Sequence, residues 1–347
     1  MERWQKALSA SIISPEGLSA RYGIDPQPLK AVAERYPMRI TPHYLGLIRE
    51  YGDPIWRQCV PDPAELADDH LSSDPLHEER HSPVPGVIHR YPDRLVLMVS
   101  LTCATLCRFC MRKRRVASGG ASRPDMSVEA GLKYIQETPA VRDVILSGGD
   151  PLLLVDDALE DILSRLRGMT HVEIVRINTR VPVTLPERVT PRLCRILKRH
   201  HPLYVNTHFN HPSEITDQSK EACKRLAEAG IPLGNQTVLL KGVNDDLGVM
   251  KRLMQQLLIL RIRPYYLHQM DPVQGTGHFR TPIERGFEIM AGLRGHTSGL
   301  ANPYYVVDLP GGKGKVPILP DYVKRQGKML LLRSYLGEVV EYIDPEA

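Results

Sequence analysis

The sequence predicts an α/β fold: an open, partial (β/α)6 barrel of the TIM type with a helical cap before it. From residue 94 onward, short apolar or β-branched runs alternate with amphipathic stretches of helical period. The strand-like runs lie at 94–101, 143–147, 172–177, 203–208, 233–240 and 264–269, and the helical stretches at 128–137, 159–167, 191–199, 219–229 and 249–260. That rhythm belongs to βα units around a parallel sheet, and six strands are too few for a closed eight-stranded barrel. Residues 1 to about 90 are punctuated by proline and lack strand signals, so they read as helices and loops. A last strand-like run at 304–308 leads into a loop rich in glycine and lysine. The expected organisation is therefore a helical region at 1–90, the partial barrel at 91–300, and a C-terminal segment at 301–347 carrying the lysine loop.

Composition narrows the class. The chain has 347 residues, 42% of them hydrophobic and 24% charged, which suits one large core in a soluble protein. No apolar stretch approaches the roughly 20 residues of a membrane span, and the polar start Met1-Glu2-Arg3-Trp4-Gln5-Lys6 has no apolar signal-peptide segment after it. A cytoplasmic location is expected. The net charge of +5 is modest, so nucleic-acid binding would need clustered basic residues. The one dense basic run, Arg112-Lys113-Arg114-Arg115, directly follows a group of cysteines. Six cysteines in a chain of this length do not suggest a disulfide scaffold. Cys59, Cys194 and Cys223 stand alone, and the latter two fall in helical stretches where a cysteine serves as a small buried hydrophobe.

Cys103, Cys107 and Cys110 are different. They form C-x3-C-x2-C immediately after the first strand-like run. Thiolates ligate iron–sulfur clusters, most often as sets of four. Three in one loop can hold three irons of a cubane and leave the fourth open to a small molecule. A zinc site would want a fourth Cys or His with its own paired spacing, and no such partner lies nearby. The motif resembles the radical S-adenosylmethionine superfamily, and Phe109 before the last cysteine fits the same pattern. The resemblance implies a [4Fe-4S] cluster whose open iron chelates S-adenosylmethionine, cleaved on reduction to a 5′-deoxyadenosyl radical. After the second strand-like run, Gly148-Gly149-Asp150 is similar to the superfamily's Gly-Gly-Glu/Asp turn. The glycines allow close approach of a ligand to the backbone, and the Asp150 carboxylate suits the ammonium group of the cofactor. Alone, this tripeptide is only a turn signal.

The run Asp308-Leu309-Pro310-Gly311-Gly312-Lys313-Gly314-Lys315 is the second signature. A lysine on a flexible glycine loop can form a Schiff base with a carbonyl cofactor such as pyridoxal phosphate. In isolation the bland reading, a solvated basic loop, is preferable, and a phosphate-binding P-loop is excluded by spacing. Together with the cysteine motif, the loop resembles the lysine 2,3-aminomutase family. The resemblance runs from about residue 38 to 345 and includes Ser82-Pro83-Val84-Pro85-Gly86, the run from His89 to Arg94, His208-Phe209-Asn210-His211-Pro212, Asn235-Gln236 and Gly277-His278-Phe279-Arg280-Thr281-Pro282.

The resemblance implies that Lys315 is the Schiff-base lysine, because the family has glycine where this chain has Lys313. It also implies that Arg90 and Arg94 hold the cofactor phosphate, a task suited to forked donors. His208 and Gln236 would line the adenosine site. Arg112 would pair with the substrate carboxylate, its alternative being one more member of a solvated basic run. Asp271 and Asp308 would grip the distal ammonium of lysine. Two converging carboxylates repel unless a cation sits between them, which favours a cationic substrate and leaves arginine open beside lysine. The implied reaction is a radical 1,2-amino shift on pyridoxal-bound L-lysine, giving β-lysine, with an electron donor such as flavodoxin or ferredoxin.

The pattern also departs from the family. The C-terminal extension whose cysteines bind zinc is missing before Ala347, and Asp246 stands where the family places the partner cysteine. No zinc is expected, and a homo-oligomer stays open. A short relative making β-lysine for elongation factor P ranks second, because it lacks the Asp-x-Pro-Gly-Gly context of Asp308. A non-catalytic iron–sulfur regulatory protein is disfavoured by the joint presence of the cysteines, Asp150, Arg112, Asp271, Asp308 and Lys315.

Overall fold

A computed structural model describes residues 1–116 and 127–345. The first part is helical, as its prolines suggest: α1 (Arg3–Ser9), α2 (Pro15–Tyr22), α3 (Gln27–Arg35), α4 (Pro42–Leu45) and α5 (Pro54–Cys59). Proline occupies the first turn of α2 through α5, where its missing N–H costs nothing. Asp53 caps α5 by accepting from the Ile55 and Trp56 N–H groups at 2.9 and 2.7 Å.

The main sheet has nine strands in sequential order: β1 (Val87–Tyr91), β2 (Arg94–Ser100), β3 (Asp143–Gly148), β4 (Ile174–Asn178), β5 (Leu203–Thr207), β6 (Leu233–Leu239), β7 (Ile262–Gln269), β8 (Tyr304–Asp308) and β9 (Lys315–Pro317). Strands β2 to β8 pair in parallel, while β1 and β9 lie antiparallel on the two edges. The connecting helices are α6 (Lys113–Val116), α7 (Val128–Gln136), α8 (Asp156–Arg167), α9 (Val181–Thr184), α10 (Pro191–Arg199), α11 (Asp217–Glu228), α12 (Leu247–Ile259) and α13 (Ile283–Leu293). One core joins the inner strand residues, such as Leu97, Leu146, Ile177, Val205 and Leu267, to helix residues such as Leu132, Leu163, Leu197, Leu226 and Leu257.

The expected open, partial barrel is observed, with three corrections. The parallel set numbers seven strands, not six, because the run at 304–308 pairs with β7 as β8. A strand, β1, crosses the boundary expected at residue 90. Its sequence, VIHRY, has no clean apolar alternation, and its pairing comes from the tight turn at Pro92-Asp93, which sets Tyr91 opposite Arg94. Third, β7 begins two residues before Pro264. Proline cannot donate to a ladder, and the register shifts there, with Asn235 opposite Pro264 and Gln236 opposite Tyr266. A small antiparallel sheet of β10 (Val323–Gln326), β11 (Met329–Arg333) and β12 (Val339–Ile343) follows. The residues of β10 and β12 are exposed, so burial imposes no alternation that a sequence pattern would register.

No backbone ladder joins β1 to β9. Side chains close the gap instead. The Lys315 N–H donates to the Tyr91 hydroxyl at 3.0 Å, and the Arg90 guanidinium lies 3.4 Å from Asp308. The sheet therefore curls until its first and last strands meet through these residues.

The basic run is not a solvated patch. Glu65, from a 3-10 turn of the cap, takes a forked pair from Arg108 at 2.8 and 2.5 Å and the Lys113 ammonium at 2.6 Å. All three side chains are at most 4% exposed. Arg112 pairs with Glu78 at 2.8 Å and Arg114 with Asp74 at 3.0 Å. Burial would raise the Glu65 carboxyl, but Arg108 and Lys113 together hold it below the usual carboxylate range. Removing one partner of a buried pair leaves the remaining charge uncompensated. Glu65→Gln is expected to cost about 3–5 kcal/mol, read as a lower denaturant midpoint in cluster-free protein; an unchanged midpoint would show that the triad does not anchor the cap.

Candidate active site

Every sequence-predicted site residue except Arg90 and Arg94 lies on or beyond the C-terminal half of a parallel strand, on the face where such barrels do chemistry. Cys103, Cys107 and Cys110 sit in the loop after β2, partly exposed, and none of the six cysteines is in a disulfide. Burial pushes the Cys103 thiol well above its ordinary range, with the neighbouring charges of Cys110, Asp150 and Cys107 adding to it. Burial and Cys107 push Cys110 up to about 11. Thiols that oppose one another's ionisation ask for a cation between them, and soft iron suits such a donor set.

The Gly-Gly-Asp turn has a structural task. A Cβ on Gly148 would come within 2.3 Å of the Ser100 carbonyl oxygen, and one on Gly149 within 2.5 Å of the Thr102 oxygen. The Gly149 and Asp150 N–H groups donate to those carbonyls at 2.6 and 2.8 Å. The glycines thus seat the cysteine loop against β3. Asp150 is buried, and burial raises its carboxyl despite three hydrogen bonds. It accepts from the Thr179 hydroxyl at 2.7 Å, the Leu152 N–H at 3.1 Å and the Arg180 N–H at 2.8 Å. The carboxylate expected to face an ammonium group also holds the turn after β4.

Lys315, Asp308, Arg90 and Asp271 converge at the other end of the sheet. The Lys315 ammonium bonds Asp308, which is 4% exposed and also faces Arg90. Asp271, just beyond β7, has its carboxyl raised to about 7, first by burial and then by the charge of Asp308. Burial and the Lys315 charge push the neighbouring His268 down to about 3, so its ring is neutral. Arg94 stacks on the Tyr91 ring at 3.9 Å and so reaches the same corner through Tyr91. Arg112 is not free: Glu78 takes its Nε and Nη2, leaving Nη1 directed at the Ser147 hydroxyl at 3.2 Å. His208 lies 5.4 Å from the Phe109 ring, and burial drives its pKa far down. The Gln236 amide oxygen is 3.3 Å from the His268 ring nitrogen.

Among the described residues, the buried side-chain atoms without a hydrogen-bond partner include two at this site: Arg90 Nε, on the guanidinium that shares Asp308 with Lys315, and His208 Nε2, on the ring next to Phe109 of the cysteine loop. An unpaired buried donor or acceptor is costly unless a ligand meets it. The lysine loop is also shaped closely, since a Cβ on Gly312 (φ +74°) would lie 2.6 Å from both His81 and the Leu76 oxygen. An amine on such a loop, with an unsatisfied guanidinium nitrogen alongside, fits a phosphate-bearing aldehyde. The thiol loop with His208 fits a cluster and a nucleoside.

Comparison with known proteins identifies the family of the chain. The family described as Radical SAM superfamily matches residues 97–253, and that described as Lysine-2,3-aminomutase matches residues 290–347. The L-lysine 2,3-aminomutase of Fusobacterium nucleatum is 50% identical over 320 residues, covering 90% of this chain and 75% of that protein. The chain belongs to the lysine 2,3-aminomutase family. The Clostridium subterminale L-lysine 2,3-aminomutase is also 50% identical, covering 89% of this chain and 75% of its own. A glutamate 2,3-aminomutase of Clostridioides difficile is 45% identical, covering 92% and 76%. These are radical S-adenosylmethionine isomerases, and the superfamily carries a [4Fe-4S] cluster and S-adenosylmethionine.

Sequence reasoning gave no sign of Arg180, Glu214, Gln58, Tyr44 or Glu78, all buried or nearly buried around this aminomutase site. Their partners are distant in the chain, as with Arg180 and Gln58 at a separation of 122, and no local spacing marks such pairs. Asp150→Asn sets an amide against the donors of the β4 turn. A loss of about 1–3 kcal/mol is expected, measured by urea unfolding of cluster-free protein; equal stability would show that Asp150 does not hold the turn.

Proposed function

We propose that this chain is an L-lysine 2,3-aminomutase that uses pyridoxal phosphate on Lys315 with the cluster and S-adenosylmethionine of its superfamily. The observation that carries the lysine assignment is the Asp271–Asp308 pair around the Lys315 ammonium. Family membership alone leaves the substrate open, since a glutamate 2,3-aminomutase stands at 45% identity. A second carboxylate from a glutamate side chain would meet two carboxylates; a lysine ammonium would neutralise them. In this reading Lys315 stands on Asp308 as the cation that the substrate later provides.

When bound, pyridoxal phosphate supplies an aldehyde and a π-system that spreads an unpaired electron, and S-adenosylmethionine supplies the hydrogen-abstracting radical. The chain's own residues bind and orient. Arg90 and Arg94 offer forked donors for a phosphate. Arg112, held rigid by Glu78, presents Nη1 to the substrate carboxylate. Asp271 and Asp308 fix the far end of the side chain. A substrate pinned at both ends would have its carbons held in fixed places, and such positioning is a large part of catalysis. Gly148 and Gly149 hold the cluster loop, and His208 and Gln236 border the nucleoside site. The cofactor on Lys315, a cytoplasmic location and a flavodoxin- or ferredoxin-type donor belong to the same proposal. No described helix is long and apolar enough to cross a membrane.

Anaerobic incubation with dithionite, S-adenosylmethionine, pyridoxal phosphate and a panel of lysine, arginine and glutamate tests the assignment. β-Lysine is expected; turnover of arginine or glutamate in its place would overturn it. Because burial and the charge of Asp308 raise the Asp271 carboxyl to about 7, its protonation as the pH falls removes half of the cation site. The KM for lysine should rise as pH drops through about 7 in the native enzyme, and this dependence should be lost in Asp271→Asn. A parallel pH response in both proteins would exclude Asp271 as the cation ligand. Lys315→Ala should abolish the visible band of bound cofactor in anaerobic protein while the iron–sulfur shoulder stays; a retained band would move the anchor to another lysine.

A further inference from the structure

Arg180 follows β4 and is 8% exposed. Its Nη1 donates to the Cys107 sulfur at 2.8 Å. Its Nη2 meets the Tyr44 hydroxyl at 2.9 Å, the Gln58 amide oxygen at 2.6 Å and the Glu214 carboxylate at 2.7 Å. Its Nε donates to the His208 carbonyl at 3.3 Å, and its backbone N–H is the one bound by Asp150. The Phe109 and Tyr44 rings lie against the guanidinium, each with its centroid 5.1 Å away. The fork cannot turn without breaking bonds to four elements, so the contact with Cys107 is imposed by the fold.

We propose that Arg180 is a positioning residue for the iron–sulfur cluster, raising its reduction potential by donating a charged hydrogen bond to the Cys107 sulfur. The proposal rests on the reading that Cys103, Cys107 and Cys110 hold the cluster. A one-electron reduction adds negative charge to the cluster and its thiolates, and hydrogen bonds to the sulfurs are among the levers that set iron–sulfur potentials. A cationic donor favours the reduced, more negative state. In a buried setting such bonds are strong and poorly screened. Glu214, 0% exposed, balances the guanidinium through Nη2, the terminal nitrogen that does not bond Cys107. The pair is thus an oriented dipole with its positive end on the thiolate. Glu214 is itself fixed, accepting from the Asn210 and His211 N–H groups at 2.6 and 2.9 Å and from the Tyr44 hydroxyl at 2.7 Å.

The test is the midpoint potential of the anaerobically reconstituted cluster, followed by electron paramagnetic resonance without S-adenosylmethionine. Arg180→Gln is expected to shift the midpoint to more negative values and Arg180→Lys to do so by less. Glu214→Gln, which leaves the guanidinium uncompensated, is expected to shift it the other way. A merely structural role would not produce opposite signs from the two partners. Cluster-loaded variants with the native midpoint, or with shifts of the same sign, overturn the proposal. A native protein that binds no iron overturns the cluster reading itself, and this one with it. If no variant keeps a cluster, native protein grown with 15N-guanidinium arginine decides. Hyperfine coupling between an arginine nitrogen and the reduced cluster is expected, and its absence rejects the contact.

Discussion

The cysteine loop is fastened by acids that come from elsewhere in the chain. Glu65, from the cap, holds Arg108 and Lys113 on either side of Cys110. Glu78 holds Arg112, and Glu214, after β5, holds the Arg180 that reaches Cys107. Each of these carboxylates is at most 2% exposed. Buried ion pairs are weak sources of stability, because desolvation offsets most of the attraction. What they supply here is position: breaking one leaves a buried charge without a partner, so alternative loop conformations are disfavoured. The loop itself has little regular structure to define it, apart from the short helix α6 that follows. Its geometry is set by long-range electrostatics and by the stacking of Gly148 and Gly149 on its first residues.

This also explains why the helical cap belongs to the chemistry. Segment 74–81 touches both halves of the site. Glu78 fixes Arg112, while the Pro75 carbonyl accepts from the Gly311 N–H at 2.8 Å and His81 packs on Gly312. The same segment therefore ties the residue proposed for the substrate carboxylate to the loop of the proposed cofactor lysine. The spacing between Arg112 and the lysine loop is thereby tied to one short stretch of the cap.

The strands were legible because their core-facing positions recur at every second residue, and Leu95, Leu97, Val144, Leu146, Val175 and Ile177 announce themselves. The cysteines, Lys315, Asp271 and Asp308 were legible because motif spacing and resemblance mark them. Strand β1 was hidden because His89 and Arg90 interrupt its apolar pattern. The carboxylate of Asp150 was legible as a site residue but not in its contacts, since capping the turn after β4 depends on where Thr179 and Arg180 lie in space. Arg180 itself was invisible: it stands as one arginine among many, and its partners Tyr44, Gln58, Cys107 and Glu214 are separated from it by 34 to 136 residues.

The charges at the lysine end carry one more consequence. Asp308 has two cations, Lys315 and Arg90, whereas among the described residues Asp271 makes no salt bridge. A lysine whose nitrogen is committed to a carbonyl no longer serves as an ammonium partner, and an arginine drawn to a phosphate is shared. Asp308 would then be less fully neutralised, with Asp271 still adding its charge. Two carboxylates left together in a buried place cannot both ionise without cost, so the site either takes up a proton or takes up a cation. A substrate with an ammonium on its side chain meets that need at the moment it arises, and one with a carboxylate aggravates it. Selectivity in this scheme comes from the charge that loading the lysine uncovers.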